Sequence, residues 1–72
     1  MTFGDRIKFI RGNLSQDEFA NLIDAHRNSV SAWERNEGMP QGEAAIQLYD
    51  LLNVNLNWLF TGNGEPYIDE SG

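Results

Sequence analysis

Between Ser15 and Asn36 the apolar residues come in two short bursts, each at helical spacing, and only Asp24-Ala25-His26 separate the helical segments they define. Phe19, Leu22 and Ile23 stand at i, i+3 and i+4, and Val30 and Trp33 stand three apart, the spacing of one face of a helix. Ser15-Gln16-Asp17-Glu18 precedes the first burst. It is a capping-box pattern, in which the Ser15 hydroxyl accepts the Glu18 N–H and the Glu18 side chain reaches back. The pattern predicts a helix over 16–23. Asp tolerates the left-handed conformation of a tight turn better than most residues, which places that turn at Asp24. A helix over 27–36 follows, and Gly38 and Pro40 end it.

The rest of the chain repeats the theme. Phe3, Ile7 and Ile10 form one apolar stripe and predict a helix over 3–11, stopped by Gly12-Asn13. Phe9 falls off that stripe and is expected at a helix edge. A helix over 42–52 has Ala45, Leu48, Tyr49 and Leu52 on its expected inner face, and Asn53 suits its C-terminal cap. Asn55 caps a last short helix over 56–60, closed by Thr61-Gly62. The stretch from 63 to 72 mixes turn residues with acids, has no periodicity, and reads as an acidic tail or linker after a domain of residues 1–62. The expected fold is all-α, five short helices with no strand signal.

A chain of 72 residues is one domain with a modest core, burying only about 60% of the surface its unfolded form exposes. The lack of cysteine rules out a disulfide framework or thiolate metal site and favours a reducing, cytoplasmic setting. No apolar run approaches the roughly 20 residues of a membrane span, and the opening Met-Thr-Phe-Gly-Asp is no secretory signal. Catalysis is not expected. His26 stands alone without a metal cluster, no G-x-x-x-x-G-K phosphate loop occurs, and the acidic pairs Asp17-Glu18 and Asp69-Glu70 are sequence neighbours that point different ways. No cofactor and no metal are expected.

The net charge of −6 argues at first against a polyanionic partner. All five bases (Arg6, Lys8, Arg11, Arg27, Arg35) lie in the first 36 positions and meet five acids there, while residues 37–72 hold six acids and no base. The front half is therefore neutral and the back half carries the whole charge, as in a binding module with an acidic tail or simply an acidic solvated surface.

At about 100° per residue, Val30, Trp33, His26 and Ser29 share one arc of the third helix, and Arg27, Asn28, Ser31, Ala32 and Arg35 share the opposite one. The first arc is core. The second offers two guanidinium forks, a carboxamide, a hydroxyl and a methyl, with no acid among them. Arg pairs bidentately with guanine, Asn with adenine, and small side chains let a helix approach the major groove. An ordinary solvated face has the same composition.

The order of residues in "QDEFANLIDAHRNSVSAWER", 16 to 35, resembles the helix-turn-helix of the lambda-repressor-like (Xre-like) family. "LNWLFTGNGEP", 56 to 66, resembles the end of the DNA-binding domain in phage CI-type repressors. The resemblance covers nearly all of residues 3–66, with the helix-turn-helix itself at about 16–36. It implies a five-helix fold in which small Ala20 lets two helices cross while Val30 and Trp33 lock the second helix onto the first. It implies base reading by Arg27, Asn28, Ser31 and Ala32, and backbone contacts from Gln16, Ser29, Arg35 and Asn36. In relatives the Glu at position 34 pairs with an Arg late in the first helix, here Arg11; a solvated Glu34 beside Arg35 is the alternative. Two positions depart from the family pattern: Asp24 stands where Gly is common, and His26 where a capping Ser or Thr is common.

The function so implied is a sequence-specific double-stranded-DNA-binding regulator of transcription, a phage or prophage repressor on a pseudo-palindromic operator. An antitoxin or a host regulator with the same domain is a second reading. A helical protein-interaction module using Trp58 and Phe60 is a third, with Trp58 equally suited to partner surface or core. Expected partners are an operator duplex, a second copy of the chain on that DNA, and an antirepressor-type protein. In CI-type repressors a comparable linker leads to a second domain for dimerisation, often a self-cleaving Ser/Lys peptidase fold.

Overall fold

The structure, a computed structural model, describes residues 1–68. Five helices follow one another: α1 Phe3–Arg11, α2 Gln16–Leu22, α3 Arg27–Glu34, α4 Glu43–Leu52 and α5 Leu56–Thr61. Among the described residues there is no strand beyond one isolated bridge, Val54 to Tyr67. The all-α reading holds. No described helix is long and apolar enough to cross a membrane.

The helix starts are set by short polar side chains. The Ser15 hydroxyl accepts the Glu18 N–H at 3.0 Å and Glu18 Oε1 accepts the Ser15 N–H at 2.8 Å. Thr2 and Asp5 make the same reciprocal pair at the start of α1, both bonds at 3.1 Å. Asn55 Oδ1 accepts from Asn57 N at 3.1 Å to open α5.

Three helix ends share one device. Among the described residues, Asp24, Asn36 and Asn53, which follow α2, α3 and α4, are the non-glycine residues with positive φ, at 57°, 62° and 55°. Each turns the chain so that the next N–H reaches back to a carbonyl inside the helix: Ala25 to Ala20 at 2.8 Å, Glu37 to Ala32 at 2.8 Å, and Val54 to Leu48 at 3.1 Å. The first two are the six-to-one bond of a Schellman cap, a site usually filled by Gly and sometimes by Asn; the third reaches one residue further back. The turn between α2 and α3 is therefore fixed by backbone hydrogen bonds.

The core joins Ile7 and Ile10 of α1, Phe19 and Ala20 of α2, Ile23, Val30 and Trp33 of α3, Leu48 of α4, Val54, and Trp58 and Leu59 of α5. Helix α3 packs against α2 and α1, and α5 against α1 and α4. Burying such side chains is the main favourable term, about 1.5–3 kcal/mol for each large one.

Several expectations change. Helix α3 stops at Glu34 rather than Asn36, because Asn36 takes the left-handed conformation ahead of Gly38. His26 is the N-cap of α3 and is exposed, so it leaves the core arc. Leu22, expected on the apolar face of α2, is exposed too. Tyr49 is 48% exposed instead of facing inward, and Leu48 is the residue of α4 that is fully buried. Trp58 is core, with Phe9 edge-on to it at 5.7 Å between ring centroids. Phe60 stacks on Phe3 at 5.8 Å. The interaction-module reading thus loses its main aromatic.

The stretch beyond Gly62 stays on the domain as far as Ile68. Asn55 N donates to Pro66 O and Ile68 N to Asn53 O, both at 2.8 Å. Asp69 and Glu70, the last acids of the expected tail, lie outside the described residues.

Candidate nucleic-acid interface

Helix α3 divides cleanly. Val30, Trp33 and Glu34 are buried, Arg27 and Asn28 are exposed, as is Arg35 at the C-cap, and Ser29, Ser31 and Ala32 are half-buried. The expected groove-facing residues Arg27, Asn28, Ser31 and Ala32 therefore lie together on the side away from the core. Val30 and Trp33 back them rigidly. Ala20 is almost fully buried where α2 meets α3.

The far end of α3 is pinned by charge. Arg11 donates Nε to Glu34 Oε2 at 2.6 Å and Nη2 to Glu34 Oε1 at 3.0 Å. Gln16 Nε2 donates to the same Oε1 at 3.0 Å, and Arg11 Nη1 to Leu14 O at 2.9 Å. One buried carboxylate thus ties the end of α1 and the start of α2 to the end of α3, and Arg11 ties in the loop between them. Burial alone pushes the Glu34 carboxyl up, but the bonds from Arg11 and Gln16, with the charges of Arg11 and Lys8, outweigh it and hold the group below its ordinary range. Gln16, expected at a DNA phosphate, is thereby half-committed to holding the scaffold, with its Oε1 and second N–H left over.

Asn36, the other end residue, is also partly committed. Its Oδ1 accepts the Gly4 N–H at 2.8 Å. At the opposite end of α3, His26 makes no side-chain cap bond, so the first N–H groups of that helix have no side-chain acceptor.

The face expected to carry no acid meets two, both from outside the helix. Arg27 Nε lies 3.9 Å from Asp17 Oδ1 of α2. Arg35 Nη2 donates to Glu37 Oε1 at 3.1 Å, and its Nη1 donates to the Ser31 hydroxyl. The Arg35 guanidinium is therefore laid back over Ser31, one turn nearer the middle of the face than an end-of-helix backbone contact. Asp17 and Glu37 escaped the sequence reading because a helical arc sees only its own residues; Glu37, two positions past Arg35, was the available signal. Of the other bases, Arg6 is spent on the Leu59 carbonyl at 2.8 Å and Arg11 on Glu34.

Among the described residues there is no cavity, and no group of three or more His, Cys, Asp or Glu that could hold a metal.

A family model described as a helix-turn-helix domain matches residues 4–65. A curated protein, the repressor protein CI of Enterobacteria phage phi80, is 30% identical over 70 residues, covering 94% of this chain and 29% of that protein. The chain thus spans less than a third of the length of that relative. No solved structure matches it. Two short helices joined through Asp24, the second backed by Val30 and Trp33 and matched over this length, place the chain in the lambda-repressor-like helix-turn-helix family of DNA-binding domains.

Proposed function

We propose that this domain is a sequence-specific regulator of transcription that binds duplex DNA through α3, of the phage-repressor kind, at a pseudo-palindromic operator. The observation that carries the reading is the outer side of α3. Arg27, Asn28, Ser31 and Ala32 share it, and the core residues Val30 and Trp33 hold it in one orientation. Arg and Asn supply the bidentate donors that tell guanine and adenine from the other bases, and Ser31 and Ala32 let the helix approach closely enough for contact with a thymine methyl. Gln16, Ser29 and Asn36 flank that face and would meet the sugar-phosphate backbone, which sets register rather than sequence.

The charge shapes how tightly one copy binds. With a net −6, a single domain is repelled by phosphates and by its twin. Useful affinity then comes from two copies on two half-sites about one helical turn apart. Such a protein works in the bacterial cytoplasm, where the DNA is.

The test is selection of bound sites from random duplex DNA, with the isolated domain and a longer form containing it side by side. An enriched sequence with two inverted half-sites supports the reading, with the longer form binding the full site far better than a half-site. Retention of DNA with no enriched sequence overturns it.

A further inference from the structure

The Arg35 side chain does not run out from the end of α3. It turns back along the helix, with Nη1 on the Ser31 hydroxyl and Nη2 on Glu37 Oε1 at 3.1 Å. Residues four apart on a helix are surface neighbours, so the guanidinium sits at the level of Ser31, in the middle of the face that carries Arg27, Asn28 and Ala32. Arginine and glutamate are both more than half exposed, so the pair contributes little to the fold. The charges nonetheless feel each other: Glu37 holds Arg35 more firmly protonated, and Arg35 holds the Glu37 carboxyl below its ordinary range. A guanidinium has five N–H donors in a rigid planar fork, and the two bonds described leave donors for a base edge.

We propose that Arg35 reads a base in the major groove instead of gripping the backbone, and that Glu37 is the positioning residue that holds its fork in the groove. The proposal rests on the DNA-binding reading above. An unrestrained arginine beside DNA has a choice between a base edge and the nearest phosphate, and the phosphate offers the same bidentate partner at every sequence. Glu37 alters that choice in two ways. It holds one N–H of Nη2 while Ser31 holds one of Nη1, so less side-chain freedom is lost when the remaining donors meet a base. It also places a negative charge beside the guanidinium, which weakens the pull of the fork on any phosphate. The carboxylate weakens approach to every duplex alike, whereas the positioning strengthens binding only where the matching base, a guanine with its O6 and N7 acceptors, is present. Glu37 thereby trades affinity for discrimination.

The experiment is competition binding to a duplex selected from random sequence by the wild-type domain, to each single-base-pair variant of it, and to a random-sequence duplex. The proteins are wild type, Arg35→Lys, Glu37→Gln, and Glu65→Gln as a remote charge control, each checked for an unchanged thermal melt. Arg35→Lys keeps the charge and loses the fork. It is expected to lose about tenfold of discrimination at one or two base pairs and to keep wild-type affinity for random duplex. Glu37→Gln is expected to lose discrimination at the same base pairs, by about threefold, while binding random duplex more tightly than wild type. If Arg35→Lys and Glu37→Gln each shift all duplexes by one common factor, Arg35 is a backbone contact and the proposal falls. If Glu37→Gln behaves like Glu65→Gln, Glu37 is bulk charge and not a positioning residue. If the wild type itself shows no preference among the duplexes, the DNA-reading function fails, and this proposal with it.

Discussion

The Glu34 carboxylate is held at both oxygens by one guanidinium, Oε2 by Arg11 Nε at 2.6 Å and Oε1 by Arg11 Nη2 at 3.0 Å, and Glu34 is only 7% exposed. The two residues belong to α3 and α1, so the pair fixes the angle at which the candidate reading helix leaves the scaffold. Removing one partner leaves the other charge poorly solvated. Arg11→Ala or Glu34→Ala is expected to cost about 3 kcal/mol, the low end for a buried pair because Arg11 keeps some contact with water. Urea denaturation measures it. A loss below about 0.5 kcal/mol would show a pair no better than an exposed one.

The same pair makes stability depend on pH in one direction. The folded Glu34 carboxyl is held below its ordinary value; burial raises it, but the bonds from Arg11 and Gln16 lower it by more. The Thr2 and Ser15 caps likewise lower Asp5 and Glu18. A carboxyl depressed in the folded state contributes stability above its unfolded pKa and loses it as pH falls through the folded one. The melting temperature should therefore hold near neutrality and fall from about pH 5 downward. Glu34→Gln should flatten that fall while lowering the neutral plateau. A variant that kept the wild-type slope would mean that Glu34 takes no part in it.

The side of α1 facing α3 leaves no room for a methyl group. A Cβ on Gly4 would lie 2.3 Å from the Glu34 carbonyl oxygen, a backbone atom that cannot swing aside, and the Gly4 N–H is bonded to Asn36 Oδ1. Gly4→Ala should improve helix propensity by about 1 kcal/mol and yet destabilise the domain, by about 1–3 kcal/mol net of that gain, because overpacking shifts both helices. Thermal denaturation decides it, and a melting temperature equal to or above wild type would show that α1 can slide.

Some of this was legible in the sequence for local reasons. The Ser15-Glu18 box, the turn at Asp24 and the α1 stripe depend on residues within a few positions of each other, and those features fall where the pattern puts them. Misses occurred where local pattern underdetermines the answer. Helix α4 is apolar on most sides, with Ala44, Ala45, Ile46, Leu48, Tyr49, Leu51 and Leu52, so its spacing fixed a helix without fixing which side faces in; Tyr49 went out. Gly38 and Pro40 mark the end of α3 too late, because Asn36 already turns the chain. The return of residues 66–68 onto 53–55 is made by backbone N–H and C=O groups, which do not depend on side-chain type, and so leaves no trace in side-chain pattern. The acids beside Arg27 and Arg35 come from outside the helix, which a single helical arc cannot display.

Asp24 pays a steric cost for its φ of 57°, since a Cβ crowds the following carbonyl in the left-handed region by about 1–2 kcal/mol for an ordinary residue and less for Asp. The side chain is exposed and makes no hydrogen bond in the described structure. Asp24→Gly should stabilise the domain by about 0.5–1 kcal/mol, the relief being partly offset by the freer unfolded chain. Asp24→Val should do the reverse and more strongly. If Gly at this position lowered the melting temperature, the Asp24 side chain would have a structural role beyond its tolerance of the turn.

The sharpest separation among the candidate site residues is between Arg27 and Asn28 on one hand and Gln16 on the other. Arg27 and Asn28 occupy the first turn of α3, exposed, at the helix end whose N–H groups have no side-chain cap. If that end enters the groove, Arg27→Ala or Asn28→Ala should each cost about 1–3 kcal/mol on the selected site and relax preference at one or two base pairs. Gln16 opens α2 and is bonded to Glu34. Its replacement by Ala should weaken the selected site and unrelated DNA by a similar factor, leaving preference intact. Because Gln16 is neutral, the dependence of affinity on salt should barely change, whereas losing Arg27 should reduce the slope if that side chain displaces counterions. Binding must be compared well below each melting temperature, since Gln16→Ala also removes a bond that steadies the end of α3. The measurement is competition across single-base-pair variants at two salt concentrations. If Arg27→Ala and Asn28→Ala lowered every duplex equally, the outer side of α3 would hold DNA without reading it.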